Sequence, residues 1–216
     1  MKIAPSILGC SYLNLGEQVL SAIEGGAEWI HVDVMDGNFV PNISIGIPIV
    51  ESLSNIDCFQ DVHLMINSPG KYIQKFIDAG ANAVSFHYEA TKNIEDNLNL
   101  ISSNSCLAGL AINPDTEVNV LYPYLNKVDY IVMMSVFPGF GGQKFINSTP
   151  DRVSQLSLYR KEKGLKFEIQ VDGGVTRDNA KMLHHAGADI LVSGSGVFND
   201  RYSPADSVLK IKKECS

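Results

Sequence analysis

Eight times along the chain a short run of β-branched and apolar residues gives way to a stretch with amphipathic helical spacing, and this alternation leaves few folds open. The runs predict strands at Ile3–Ile7, Trp29–Val34, Asp61–Leu64, Ala83–His87, Leu107–Ile112, Tyr130–Met134, Phe167–Asp172 and Asp189–Val192. The stretches between them predict helices at Leu15–Glu24, Pro48–Ser54, Lys71–Ala79, Ile94–Ser102, Glu117–Leu125, Thr149–Lys163, Arg177–Ala186 and Ala205–Lys213. Strands that are apolar on both faces and alternate with helices belong to a parallel sheet covered by helices. The 216 residues give each unit 27 on average, compact but adequate for a closed (β/α)8 TIM barrel; a doubly wound open sheet is the competing architecture. Three helix ends, Gly25-Gly26-Ala27-Glu28, Ala79-Gly80-Ala81-Asn82 and Ala186-Gly187-Ala188-Asp189, are expected to stop in a left-handed glycine before the chain turns into the sheet. No proline- or serine-rich linker divides the chain, so residues 1–216 read as a single domain.

Composition narrows the partners. Acidic residues outnumber basic ones by 24 to 17 and no basic patch stands out, so neither nucleic acid nor an anionic membrane is an expected partner. The apolar runs are far shorter than the ~20 residues of a membrane span. The opening Met1-Lys2-Ile3-Ala4-Pro5-Ser6 reads as the approach to a strand and lacks the apolar core of a signal peptide. Cys10, Cys58, Cys106 and Cys215 show no CxxC spacing and read as thiols in a reducing compartment. A soluble, cytoplasmic enzyme, assembled as a homo-oligomer, is the expectation.

Chemistry concentrates at strand ends. His31, Asp33 and Met35 are spaced by two and share one side of their strand, while Ile30, Val32 and Val34 occupy the other. His63 and Met65 repeat the design on the next strand, and Asp172 ends the seventh. In a barrel the C-terminal ends of the strands carry the active site. Two buried carboxylates near each other cost several kcal/mol unless a cation or hydrogen bonds compensate. One divalent metal ion held by two imidazoles and two carboxylates resolves that cost, and the donor set suits zinc, iron, manganese or cobalt. His87 ends strand four and is a weaker candidate, while His184 and His185 read as surface or packing residues of a helix.

Glycine-rich segments form a second constellation. Pro138-Gly139-Phe140-Gly141-Gly142-Gln143 follows strand six, Asp172-Gly173-Gly174 follows strand seven, and Ser193-Gly194-Ser195-Gly196 follows strand eight. Such loops let backbone N–H groups approach an anion, and a short helix after strand eight would aim its positive end there. Barrel enzymes often bind phosphate at this place.

Taken together, Ala4-Pro5-Ser6-Ile7-Leu8, His31-Val32-Asp33-Val34-Met35-Asp36-Gly37, Phe39-Val40-Pro41-Asn42, Asp61-Val62-His63-Leu64-Met65, the Pro138–Gln143 run and Val171-Asp172-Gly173-Gly174-Val175 resemble the ribulose-phosphate 3-epimerase family over essentially the whole chain. The resemblance implies a ribulose-phosphate-binding (β/α)8 barrel that interconverts D-ribulose 5-phosphate and D-xylulose 5-phosphate in the pentose phosphate pathway. It implies His31, Asp33, His63 and Asp172 as metal ligands. It makes Asp33 the proton acceptor and Asp172 the donor, with the roles reversed in the opposite direction. Ser6, His63, Gly139, Phe140, Gly141, Gly142, Asp172, Gly173, Gly174, Gly194 and Ser195 would contact the sugar phosphate. Met35, Met65 and Met134 match the family's apolar cap over the reacting carbons; plain core filling is the competing reading.

Three positions depart from the commoner family wording: Phe137 where a polar residue is usual, Asn38 for a frequent histidine, and Gly196-Val197 for a frequent Ala-Ile. They bear on substrate choice. The main rival activity is a hexulose-phosphate 3-epimerase, such as one acting on D-allulose 6-phosphate. A decarboxylase or aldolase would want a lysine beside the strand-end acids, and the Asp33–Gly37 and Asp61–Met65 segments hold none. A non-catalytic sugar-phosphate sensor would be expected to have lost some of the four ligand residues.

Overall fold

The computed structural model describes residues 1–215. Its strands are β1 (Lys2–Pro5), β2 (Ile30–Met35), β3 (Gln60–Met65), β4 (Ala83–His87), β5 (Leu107–Ile112), β6 (Tyr130–Met134), β7 (Glu168–Asp172) and β8 (Ile190–Ser193). Its α-helices are α1 (Leu15–Glu24), α2 (Ile47–Leu53), α3 (Ile73–Asp78), α4 (Ile94–Ser103), α5 (Thr149–Lys163), α6 (Arg177–Ala186) and α7 (Pro204–Glu214). All paired strands are parallel, in the order β1-β8-β7-β6-β5-β4-β3-β2. Ser6, one residue past β1, pairs with His31 of β2 and brings the two ends of the sheet together. The result is a TIM barrel.

Each expected strand is present within one or two residues of its bounds, and the departures have local causes. Ile7 does not end β1 but begins a 3-10 turn, Ile7–Gly9, which Ser6 caps by accepting the Leu8 N–H at 3.3 Å. The helix expected at Lys71–Ala79 splits into a 3-10 turn at Pro69–Lys71 and the shorter α3, because Pro69 opens a turn that closes on the Tyr72 N–H. The helix expected at Glu117–Leu125 is a 3-10 helix over Val118–Tyr124. Pro123 within it has no N–H to donate, and Val118 and Val120 are β-branched, so a full α-helix is disfavoured there. Gly26, Gly80 and Gly187 adopt positive φ (88°, 111° and 106°) where helices turn into β2, β4 and β8, as their spacing implied.

Strand alternation sorts the buried side chains into two cores. The larger lies outside the barrel wall, where Ile3, Val32, Val62, Val84, Leu110, Ile131, Ile169 and Leu191 meet helix residues such as Val19, Val50, Phe76, Leu98, Val153 and Leu183. The smaller fills the barrel itself, with Ala4, Ala83, Ala111, Tyr130, Val132, Ile190 and Val192. Trp29, stacked on Phe59 at 4.6 Å and edge-on to Tyr130, plugs the N-terminal end. Between that plug and the C-terminal mouth the interior is polar, with His31, Asp61, His63, Ser85, His87 and Gln170 all buried.

Tyr130 fits inside the barrel because Gly109 on the neighbouring strand has no side chain. A Cβ there would lie 2.4 Å from the tyrosine ring and 2.7 Å from the Ser85 Cβ. Gly109→Ala is expected to destabilise the fold by about 1–3 kcal/mol, the usual cost of overpacking a filled core. Urea titration of the variant against the parent measures this, and an unchanged midpoint would contradict the packing described.

Candidate active site

The register of β2 against β3 sets each histidine beside an acid. His31 is paired with Asp61 and Asp33 with His63, and all four side chains point into the barrel. Asp172 enters from β7, on the far side of the ring from β2. His31 Nε2 lies 3.3 Å from Asp33 Oδ1 and 3.8 Å from Asp172 Oδ2, and His63 Nδ1 lies 3.5 Å from each of those oxygens. One donor atom from each of His31, Asp33, His63 and Asp172 falls within 4.8 Å of all the others. His31 Nε2 and His63 Nδ1 are buried without a hydrogen-bond partner, an arrangement that is costly unless something else occupies the centre. Two lone-pair nitrogens and two carboxylate oxygens converging from separate strands fit a divalent metal ion.

Other residues hold these four in place. Asp61 accepts from His31 Nδ1 at 2.7 Å, from the Tyr130 hydroxyl at 2.7 Å and from Gln170 Nε2 at 2.6 Å. The first bond puts the proton of a neutral His31 on Nδ1 and leaves Nε2 free to face the cluster. Ser6 Oγ donates to Asp33 Oδ2 at 2.5 Å, so Asp33 Oδ1 is the oxygen that faces the histidines. Ser135 binds the Asp172 carbonyl through both its N–H (2.7 Å) and its hydroxyl (2.8 Å). Of these supports, Asp61, Tyr130, Gln170 and Ser135 were not singled out from sequence. The spacing of two that marks His63 and Met65 also reaches back to Asp61, and that signal could have found it.

Electrostatics follow from burial and charge. Burial alone would raise the Asp33 pKa, but His31 and His63 outweigh it and hold the carboxyl below its usual range. Burial alone would lower His31 and His63. The facing acids reverse this, raising His31 well above its ordinary value through Asp33 and Asp61, and His63 through Asp172 and Asp33. Burial keeps His87 below its usual range despite the nearby Glu89.

Above the cluster a cavity of about 450 Å³ opens at the C-terminal mouth. Ser6, Asp33, Met35, Met65, Met134, Gly139, Phe140, Gly141, Gly142, Asp172, Gly173, Gly174, Gly194 and Ser195 all line it. His31 and His63 lie fully buried and are not among its lining residues. Met35 and Met65 pack with Val40 into a small separate apolar cluster. The loop after β6 is pinned by Gln143 Nε2, which donates to the carbonyls of Phe137 (2.6 Å) and Phe140 (2.9 Å), and by Asn42 Nδ2, which donates to that of Gly139 (2.7 Å). Leu8, Val136 and Val192 also line the cavity and were not expected from sequence.

Some expectations need correction or placement. The short helix expected directly after β8 is only a single turn before α7: Val197 and Phe198 donate to the Gly194 carbonyl, and the Asn199 amide ends the turn by binding the carbonyls of Gly196 and Val197. His184 and His185 sit on α6, outside the cluster. None of Phe137, Asn38, Gly196 and Val197 lines the cavity. Phe137 is exposed, and Asn38 belongs to a turn closed on the Asp36 carboxylate. No helix among the described residues is long and apolar enough to cross a membrane.

A family model described as the ribulose-phosphate 3 epimerase family matches residues 2–198. A ribulose-phosphate 3-epimerase of Bacillus subtilis is 44% identical over 200 residues, covering 92% of each chain. The Escherichia coli K12 protein of the same name is 42% identical over 91% of this chain and 88% of its own. A chloroplastic ribulose-5-phosphate-3-epimerase of Arabidopsis thaliana is 45% identical over 98% of this chain and 76% of its own. Among solved structures, a 3-hexulose-6-phosphate synthase superposes with a TM-score of 0.70 at 12% identity over the whole of both chains. At that identity the likeness is one of fold.

The raised histidines fix how stability without metal responds to pH. Protonated His31 and His63 stabilise the folded state below their unfolded pKa of about 6.5, and that contribution is lost as pH rises through their higher folded values. Above about pH 7.5 His87, whose folded value is lowered, is neutral in both states and adds no slope. Chelator-treated protein should therefore melt at progressively lower temperature between about pH 7.5 and pH 9. A melting temperature that stays level or rises over that range would contradict the charge assignment.

Proposed function

The chain belongs to the ribulose-phosphate 3-epimerase family, and from that premise we propose how its residues invert C3 of a ketopentose phosphate. The activity is an isomerase reaction, the interconversion of D-ribulose 5-phosphate and D-xylulose 5-phosphate. Inversion beside a ketone requires removal of a proton from one face of C3 and delivery of a proton to the other. The observation that carries the mechanism is the position of Asp33 and Asp172. They reach one cavity from β2 and β7, three strands apart around the ring in one direction and five in the other. Carboxylates arriving from opposite walls can serve opposite faces of a sugar held between them.

Asp33 is the base for one epimer and Asp172 the acid, and the roles exchange in reverse. Ser6 orients Asp33, and the two histidines keep it ionised, the state from which a base must start. His31, Asp33, His63 and Asp172 would hold one divalent ion, with zinc, iron, manganese and cobalt all compatible with the donor set. Bound there, it would act as a Lewis acid toward the negative charge that develops on the sugar oxygens after proton removal. Met35, Met65 and Met134 form an apolar wall that keeps water from the carbanionic carbon. The loops at Gly139–Gly142, Gly173–Gly174 and Gly194–Ser195 receive the phosphate through backbone N–H groups, anchoring the far end of the substrate. The cysteines stand free, in keeping with a reducing compartment, and we place the enzyme in the cytoplasm.

Asp33→Asn and Asp172→Asn should each lower kcat by about 10²–10⁴-fold, and more where metal is also lost. Metal content of each variant separates the two losses. In metal-replete variants, deuterium from solvent should enter C3 of only the epimer whose proton faces the surviving aspartate. Rapid inversion by either metal-loaded variant would overturn the two-acid mechanism.

Gly194 offers a clean test of the phosphate site. A Cβ there would meet only ordinary contacts, the nearest at 3.7 Å to the Ser6 carbonyl oxygen, so alanine fits the fold. Gly194→Ala should raise KM for D-ribulose 5-phosphate by about tenfold or more, the equivalent of ~1.4 kcal/mol, and leave the melting temperature unchanged. An unaltered KM would place the phosphate elsewhere.

A further inference from the structure

Behind His63, away from the cavity, a second buried imidazole leads out to a carboxylate at the surface, a row that the epimerisation steps do not use. His63 Nε2 lies 2.9 Å from His87 Nε2. The two rings are inclined by only 14° with centroids 5.0 Å apart, so they meet tip to tip in a nearly common plane. At the other end of the His87 ring, Nδ1 lies 3.3 Å from Glu89 Oε2, an ion-pair contact without hydrogen-bond geometry, and it has no other partner. Glu89 Oε1 is fixed in turn, accepting from the Asn113 N–H at 2.8 Å and from the Thr116 hydroxyl. Arg152 clamps that loop from α5, donating to the carbonyls of Asn113 (2.9 Å) and Thr116 (2.7 Å).

Only one of the two facing Nε2 atoms can carry the proton between two neutral rings. If His87 carried it, His87 Nδ1 would present a lone pair to the Glu89 carboxylate, and His63 Nδ1 would carry a proton where a metal ligand needs a lone pair. If His63 carries it, His87 Nδ1–H faces Glu89 and His63 Nδ1 is free. The carboxylate selects the second arrangement. We propose that Glu89, acting through His87, is a positioning relay that locks His63 in its Nε2–H tautomer and so presents the Nδ1 lone pair to the cation site. The inference rests on the metal site of the proposed function. It gives His63, through an intervening ring, the carboxylate backing that His31 receives directly from Asp61.

The fixed Glu89 Oε1 makes Glu89→Gln informative. The Asn113 N–H demands an acceptor at that position, so the glutamine oxygen is held there and its NH2 turns toward His87 Nδ1. This reverses both tautomers and puts a proton on His63 Nδ1. Zinc is the probe. Zinc affinity, measured by competition with a chromophoric chelator, should fall about 10–100-fold in Glu89→Gln while the melting temperature of the metal-free protein holds. The second measurement needs no variant: ¹⁵N–¹H correlation of the zinc-loaded parent, labelled at histidine, should show His63 bound through Nδ1 and protonated at Nε2. Parent affinity in Glu89→Gln, or zinc on His63 Nε2, would overturn the relay. If the variant fails to fold, the parent spectrum decides. A parent that binds no zinc removes the relay together with the metal site, whereas a parent that shows the expected zinc spectrum but does not epimerise leaves the relay standing and removes the proposed activity.

Discussion

A fully buried carboxylate, Asp61, is the constraint from which the interior of this barrel is built. It stands on β3 and accepts hydrogen bonds from His31 on β2, Tyr130 on β6 and Gln170 on β7, so one side chain couples four strands through the lumen. An ion of this kind without partners would cost several kcal/mol, and three donors at 2.6–2.7 Å offset that cost. Two of the three donors are also committed elsewhere. Tyr130 needs the gap left by Gly109, and His31 carries its free nitrogen into the cluster. The polar layer is therefore cooperative, with the reacting groups resting on a floor whose bonds to Asp61 all form only when strands from both sides of the barrel have come together.

How far this was legible in the sequence depends on the range of each interaction. Strands buried on both faces leave a local signature, so all eight were readable within a residue or two. The i, i+2 spacing likewise placed His31, Asp33 and Met35 on one face, since a strand enforces that alternation. Local chemistry misled at four places: where Ser6 caps a 3-10 turn at Ile7, where Pro69 splits a helix, where Pro123 tightens one to 3-10, and where the Asn199 amide stops the turn after β8. The supports of the site were harder to read. Tyr130 and Gln170 reach Asp61 across 69 and 109 residues of sequence. His87 looks like any strand-end histidine until the fold sets its ring against His63. Residues that touch substrate or metal cluster in recognisable words, while residues that orient them are scattered and are recognised only by contact.

The two faces of each strand divide labour. Val32, Val62, Leu110, Ile169 and their helix partners hold the wall from outside, and none of them borders the cavity. The side chains on the other face of the same strands alternate with them one for one. A strand thus specifies wall and chemistry in interleaved positions that hardly touch.

That interleaving makes the barrel behave as a vessel whose contents can be exchanged. Substitutions at outward positions are read out as stability and those at inward positions mainly as chemistry, so the two can drift on separate schedules. The buried acids and imidazoles hold the vessel together only through one another and at the cost of leaving water, and a lumen refilled with well-fitted apolar side chains could be the sturdier one. On this view the polar lumen persists under selection for reactivity and against the direction in which durability alone would carry it.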